Sequence, residues 1–206
     1  LTLAGGVLPP LLVTFGIAVI IENTLLEVFS ADSQGLNAGR IETVSITITD
    51  RLAIGWFPLG LFVAAVVVLG GLQLFVDRTR FGRALRATSD DREAAQLMAI
   101  NDRHIYAVAM GIALAVAGIA GVFTGVRTTF GPLDGAILLI FAFEAVIIGG
   151  LGSLWGTLIG GIILGVAQSI GAQLSPGWFQ LAGHLVFLAV LVIRPTGLFP
   201  REGVAA

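Results

Sequence analysis

Long apolar runs set the first limit on what this chain can fold into. Several approach or exceed the roughly 20 residues needed to cross a bilayer core, and they follow one another from end to end. The first runs from about Val7 to Phe29, the second from Leu52 to Val76, and the third from His104 to Val126. The fourth covers Gly135 to Leu151, the fifth Leu154 to Leu174, and the sixth, shorter one Trp178 to Ile193. Only 12% of the 206 residues are charged, against about 25% in soluble domains. These features predict an all-α fold: one polytopic membrane bundle over residues 1–206, with about six transmembrane spans. Trp56, Trp155 and Trp178 fall near span ends, where an aromatic belt places them.

Composition removes several function classes. A net charge of -2 argues against nucleic-acid binding. Cysteine is absent, which excludes disulfides, thiol chemistry and cysteine metal sites. All eleven basic residues are arginine. A Walker A phosphate loop requires lysine, so this chain does not carry that ATP site. No basic segment precedes the first apolar run, so that run does not read as a signal peptide.

Charge is concentrated in one island. Between Asp77 and Arg103 lie eleven charged residues, whereas His104 to Ile193 holds three, Arg127, Asp134 and Glu144. With six spans, the island and the C-terminus share one side. That side carries eight arginines and the other carries three, Arg40, Arg51 and Arg127. Positive charge favours the cytoplasm, so the island is expected inside and the loop Ser30–Asp50 outside. In that outer loop Thr43, Ser45, Thr47 and Thr49 alternate with apolar residues, which predicts a short strand.

Within the island, Asp90 and Glu93 have capping-box spacing, and Asp91 and Glu93 suit the positive end of a helix dipole. A helix is therefore expected from Asp91 to Ala99. At that length it is not stable alone in water, and it needs a surface to lie on. Small Ala94 and Ala95, expected exposed, with apolar Leu97 and Met98 would fit a groove on a partner. The plainer reading is a solvated loop between spans.

Glycines at four-residue spacing let helices approach closely. Gly121 and Gly125 form one pair, Gly152, Gly156 and Gly160 one row, and Gly161, Gly165 and Ser169 another. Glu144 is costly in mid-membrane and is expected to face the protein interior, either as a structural hydrogen bond or lining a path. His184 reads first as a buried, satisfied histidine. Thr14, Asn23, Gln168 and Gln173 are further polar candidates. The stretch Gly149-Gly150-Leu151-Gly152-Ser153 is expected to be a tight turn, with a helix break facing the path as the alternative.

The stretches Arg83-Ala84-Leu85-Arg86-Ala87, Asp91-Arg92-Glu93-Ala94-Ala95 and Met98-Ala99-Ile100-Asn101 resemble the cytoplasmic loop of importer permeases driven by ABC ATPases. The closer resemblance is to the branched-chain amino acid permease family. Leu12 to Asn23, Gly149 to Ser153 and Arg194-Pro195-Thr196-Gly197-Leu198-Phe199 support it, so it spans nearly the whole chain. The resemblance implies a permease of the cytoplasmic (inner) membrane that binds no cofactor itself. ATP and Mg would sit on separate cytoplasmic ABC ATPase subunits. A second permease subunit and an extracytoplasmic substrate-binding protein would complete the assembly.

In that reading Arg83, Arg86, Asp90, Asp91, Glu93, Ala94, Ala95 and Met98 couple to the ATPase. Thr14, Asn23, Glu144, Gly150, Gly152 and Ser153 belong to the translocation path, and Gly121, Gly125, Gly156, Gly160, Gly161 and Gly165 pack helices. The family carries glycine where this chain has Ala99, which a helical backbone there would tolerate. Its members also carry further N-terminal helices. Two other classes compete: a secondary transporter or channel without an ATPase, and an intramembrane hydrolase using Ser153 and His184.

Overall fold

The computed structural model describes residues 8–36, 45–49 and 52–199. The all-helical expectation holds for the membrane part, with one two-stranded hairpin added outside it. Helix α1 spans Leu8–Phe29. Strand β1, Ser45–Thr49, pairs antiparallel with β2, Leu52–Gly55, placing Ser45 opposite Gly55 and Thr47 opposite Ala53. The predicted strand is therefore present from Ser45, while Thr43 and Val44 lie outside the described residues. Pairing with β1 also claims Leu52–Gly55, so the second span starts at Trp56 instead of Leu52. That helix, α2, runs Trp56–Arg78, with Pro58 in its first turn, where a missing N–H has no helical partner to lose.

The charged island folds into two helices, not one. Helix α3, Arg80–Asp90, is capped by Thr79, whose side chain accepts from Gly82 N at 3.1 Å. Only a glycine fits at position 82, because a Cβ there would lie 1.9 Å from Val76 O across the bend from α2. Helix α4 is short, Arg92–Leu97, and its cap is Asp91, which accepts from Ala94 N at 3.0 Å. This corrects the expected cap at Asp90: α3 continues through Asp90 and leaves Asp91 as the first free carboxylate.

Ala99 is not helical. It sits just past α4 with φ 60°, in the left-handed region. A Cβ there costs about 1–2 kcal/mol, and glycine gives back about 0.5–1 kcal/mol in chain entropy. Ala99→Gly is therefore expected to firm up α4 by about 0.5–1 kcal/mol. Amide exchange at Ala95 and Met98 should slow about two- to fivefold. Equal exchange in the two proteins would show that Ala99 carries no strain.

Four further helices follow: α5 Asp102–Arg127, α6 Asp134–Gly149, α7 Leu154–Leu174 and α8 Trp178–Ile193. Six apolar helices thus stand where six spans were expected. Of these, α1, α2, α5 and α7 contain stretches long and apolar enough to cross a membrane. Helices α6 and α8 have 16 residues each, about 24 Å of rise.

The tightest packing joins α6, α7 and α8. A Cβ on Gly156 would meet Gly149 O at 2.4 Å, and one on Gly160 would meet Ala145 O at 2.1 Å. At the far end, a Cβ on Gly171 would lie 2.4 Å from Trp178 O. Ile148 is fully buried between these helices, and Leu164 nearly so. Elsewhere α1, α2 and α5 turn large apolar side chains outward, among them Leu12, Phe62, Val67 and Leu114. Such surfaces are normal for helices that face lipid or other helices.

A strap closes one end of this unit. After α8 the chain turns at Gly197, φ 83°, and runs back to the end of α6. Leu198 N donates to Ile148 O at 2.9 Å and Phe199 N to Gly149 O at 3.0 Å. These bonds satisfy carbonyls that a helix C-terminus otherwise leaves open. A Cβ on Gly197 would lie 2.4 Å from Gly150 Cα, so this contact requires glycine. Trp155, at the start of α7, lies against Gly70 of α2, where an added Cβ would be 3.8 Å from its ring. The strap and the island therefore lie toward the same end of the bundle.

Candidate functional site

The island presents a braced, solvent-facing element. Arg92, first in α4, donates through Nε to Asp102 Oδ2 at 2.6 Å, and its Nη2 also contacts that oxygen. Asp102 opens α5 and is buried, so the pair fastens α4 to the head of a membrane helix. Charge-assisted pairs of this kind hold geometry well when one partner is desolvated. Behind α4, Tyr106 Oη donates to Thr88 O at 3.4 Å, joining α5 to α3. Arg86 donates to Asp77 Oδ1 at 2.8 Å and ties α3 to the end of α2. Arg83 stays exposed on α3.

Ala95 is 3% exposed, not outward as expected. It is the anchor on which α4 rests. Ala94, Glu93 and Asp91 are exposed, and Leu97 and Met98 stand out at 88% and 77% exposure. Two large apolar side chains fully in solvent, next to acidic Glu93 and Asp91, form a small protruding patch. Sequence reasoning missed two of its supports, Arg92 and Asp102. Their opposite charges ten residues apart were the available signal.

The polar residues of the spans divide into two groups. Thr14 and Asn23 lie on exposed positions of α1. Asn23 Nδ2 donates to Val19 O of its own helix at 2.8 Å. Neither is brought to Glu144. Glu144 lies buried on α6, and its Oε1 is in close contact with His184 Nδ1 from α8. The His184 ring also stacks on Phe141, with centroids 6.0 Å apart. His184 is thus paired, but its side chain is 41% exposed, so the expectation of a buried histidine is corrected. Glu144 Oε2 and Gln168 Nε2 are buried without a hydrogen-bond partner. Gln168 faces Gly183, next to His184, where a Cβ would be 3.2 Å from its amide nitrogen. Glu144, His184 and Gln168 therefore form a polar seam through α6, α7 and α8. Gln173 is exposed near the end of α7 and does not join it.

The stretch Gly149–Ser153 is a turn. Gly150 and Gly152 have φ of 103° and 85°, and Ser153 N donates to Gly150 O at 3.2 Å. Ser153 caps α7 by accepting from Gly156 N at 3.0 Å. It stands fifteen positions before Gln168 on α7, about 22 Å along the helix. The Ser153 hydroxyl is engaged in the α7 cap and His184 Nδ1 contacts Glu144, so the described residues show no nucleophile–base pair between Ser153 and His184.

The glycine rows behave unequally. Gly156 and Gly160 carry the α6–α7 contact, and Gly125 packs under Phe130 and Leu36. At Gly121, Gly161 and Gly165 a Cβ would meet nothing within 4 Å, so their expected packing role is not met within this chain. Gly149, Gly171, Gly183 and Gly197 do make close contacts that spacing alone did not reveal.

Sequence reasoning also missed a cavity at the opposite end from the island. There Gln34 pairs with Phe130 through both backbone groups, and Leu36 N donates to Gly125 O at 2.9 Å. Behind this junction is a cavity of about 540 Å³ lined by Leu25, Phe29, Gln34, Leu36, Phe130 and Pro132. Gly131 and Gly135 complete the wall beside Asp134, whose Oδ2 accepts from Gly131 N at 2.7 Å. A second, smaller cleft of about 260 Å³ lies between α2 and α5.

Comparison with known proteins bears on the whole chain. Residues 7–194 match the family described as branched-chain amino acid transport system / permease component. The high-affinity branched-chain amino acid transport system permease protein BraD of Pseudomonas aeruginosa is 31% identical over 206 residues, covering 97% of this chain and 66% of BraD. The LivH permease protein of the corresponding system in Escherichia coli K12 is 33% identical over 168 residues, covering 81% of this chain and 53% of LivH. The fructose import permease protein FrcC of Rhizobium meliloti is 32% identical over 204 residues, covering 90% of this chain and 55% of FrcC. The chain thus spans between about half and two thirds of the length of these relatives. No solved structure matches it.

Proposed function

This chain belongs to the branched-chain amino acid permease component family, and from that premise we propose that it is the translocating subunit of an ATP-driven importer. Its substrates are branched-chain or related amino acids. It sits in the cytoplasmic membrane with the island, the α6–α7 turn and the C-terminal strap inside. ATP and Mg are held by separate ABC ATPase subunits, a second permease subunit completes the path, and an extracytoplasmic binding protein delivers substrate.

The observation that carries this reading is the protruding patch of α4. A helix of six residues is too short to persist by its own hydrogen bonds. Here it is held by the Asp91 cap, buried Ala95 and the Arg92–Asp102 pair, while Leu97 and Met98 remain in solvent. Exposed apolar anchors ringed by charge are what a partner's groove engages. Through Arg92 and Asp102, a push on α4 reaches α5, and through Thr88 and Tyr106 it reaches α3.

The test is co-purification with the ATPase subunits. The double variant Leu97→Asp/Met98→Asp, and separately Glu93→Arg, should lower ATPase recovery tenfold or more, about 1.4 kcal/mol of association or more, and should stop ATP-driven uptake. Both variants change exposed side chains, so the permease itself should reach the membrane in normal amounts. Uptake and ATPase recovery at the unmodified level would remove the coupling role and favour a transporter that works without an ATPase.

A further inference from the structure

The cavity at the outer end differs from the rest of the membrane surface in having a defined volume and one-sided chemistry. At about 540 Å³ it lies within the range of small-molecule sites, about 300–1,000 Å³. The α2–α5 cleft, at about 260 Å³, falls below that range. Large apolar side chains from three separate segments converge on the cavity: Leu25 and Phe29 from α1, Leu36 from the segment that follows, and Phe130 and Pro132 from the α5–α6 turn. Among the described residues, Gln34 is the only polar side chain in the wall. Such a lining favours an aliphatic group and gives a polyol almost no hydrogen-bond partners, a large penalty for buried hydroxyls.

One charge stands at the rim. Asp134 lies between lining residues Pro132 and Gly135, and its Oδ2 is fixed by Gly131 N. It is one of only three formal charges between His104 and Ile193. A fixed carboxylate beside an apolar chamber matches a compact molecule with an ammonium at one end and a branched aliphatic group at the other.

We propose that this cavity is an entry site for a free aliphatic α-amino acid, with the side chain among Phe29, Leu36 and Phe130 and the ammonium facing Asp134. The site rests on the amino-acid permease reading and deepens it, placing selection at the mouth of the path. In the sequence Asp134 stood out only as an isolated charge, and the apolar wall not at all, because an apolar selectivity site looks like any other membrane-facing stretch.

The experiment is equilibrium binding of labelled leucine to the full chain in lipid nanodiscs, without binding protein, beside ATP-driven leucine uptake by the complete assembly. Leu36→Trp fills the chamber from an exposed loop position. Asp134→Asn keeps an oxygen to accept from Gly131 N and removes only the charge. Leu36→Trp should weaken leucine binding tenfold or more. Asp134→Asn should weaken leucine at least fivefold, yet should not weaken competition by 4-methylpentanoate, which lacks the ammonium. Fructose should not compete. Leucine binding at the unmodified level in both variants would overturn the site, as would equal loss of leucine and 4-methylpentanoate in Asp134→Asn, or competition by fructose. Uptake separates the two ideas: binding that follows this pattern without ATP-driven uptake would sink the importer reading alone, and normal uptake by both variants would sink the site alone.

Discussion

Gly160→Ala should strongly destabilise the α6–α7 pair, whereas Gly161→Ala, one position along the same helix, should be harmless or stabilising. The added carbon at 160 would fall 2.1 Å from Ala145 O and 2.8 Å from Gly149 N, both backbone atoms with no rotamer to yield. Overpacking usually costs about 1–3 kcal/mol. With rigid backbone on the other side, the cost should be about 3 kcal/mol or more. At Gly161 nothing lies within 4 Å, and alanine is the better helix former by about 1 kcal/mol. Thermal unfolding in detergent reads both. A fall of about 6–12 °C is expected for Gly160→Ala, with no fall for Gly161→Ala. If the two variants melt together, the α6–α7 contact is not where the fold is held.

The second large effect concerns the seam. His184→Leu removes the partner of Glu144 Oε1 and leaves a buried carboxyl with neither oxygen bonded, since Oε2 already lacks a partner. Breaking one side of a fully buried pair costs about 3–5 kcal/mol, and with the His184 side chain 41% exposed the loss here should be nearer about 2–3 kcal/mol. Replacing both partners with apolar residues often costs little. The double variant Glu144→Leu/His184→Leu should therefore recover most of the stability lost in His184→Leu, a coupling of about 2 kcal/mol or more. Additive losses in the two single variants and the double would mean that the pair does not hold α6 to α8. The measurement is the same melting curve, taken on all four proteins.

The six apolar helices were legible, four of them long enough to cross a bilayer, because an apolar run of that length has few other fates. Most of their ends moved by two residues or fewer, and the largest shift came where another partner competed, at Leu52–Gly55, which the hairpin takes from α2. The hairpin itself was half visible, through the alternation up to Thr49, but its second strand was hidden inside an apolar run. Helix α3 was missed because its arginines give it the composition of a loop, although one face is apolar enough to bury Thr88 and Gly82. The cap of α4 was misplaced by one residue, because two adjacent aspartates offer two registers and only the end of α3 decides between them.

The glycine rows show a deeper limit. Spacing of four marks a helix face but not which face meets a neighbour, so Gly156 and Gly160 looked the same as Gly161 and Gly165. The partner of Glu144 lies 40 residues away, and no local pattern points to His184. The cavity beside Phe130 was illegible for a similar reason, since its walls come from α1, the loop behind it and the α5–α6 turn. The two glycine-bearing stretches around Gly150 and Gly197 were each noticed in the sequence. That one is the seat of the other emerged only when the strap was seen lying on the turn.

The strap has a consequence for how the protein is made. Ribosomal synthesis delivers α6 and α7 to the membrane first, and domains tend to settle in that order. The carbonyls of Ile148 and Gly149, however, receive their donors from Leu198 and Phe199, which emerge some fifty residues later. Until then the C-terminal end of α6 lacks these two donors. A nascent chain that stalls or is cut shortly after Arg194 would carry all six apolar helices and still lack its closure. The α6 end is thus closed only once the chain beyond α8 has been made.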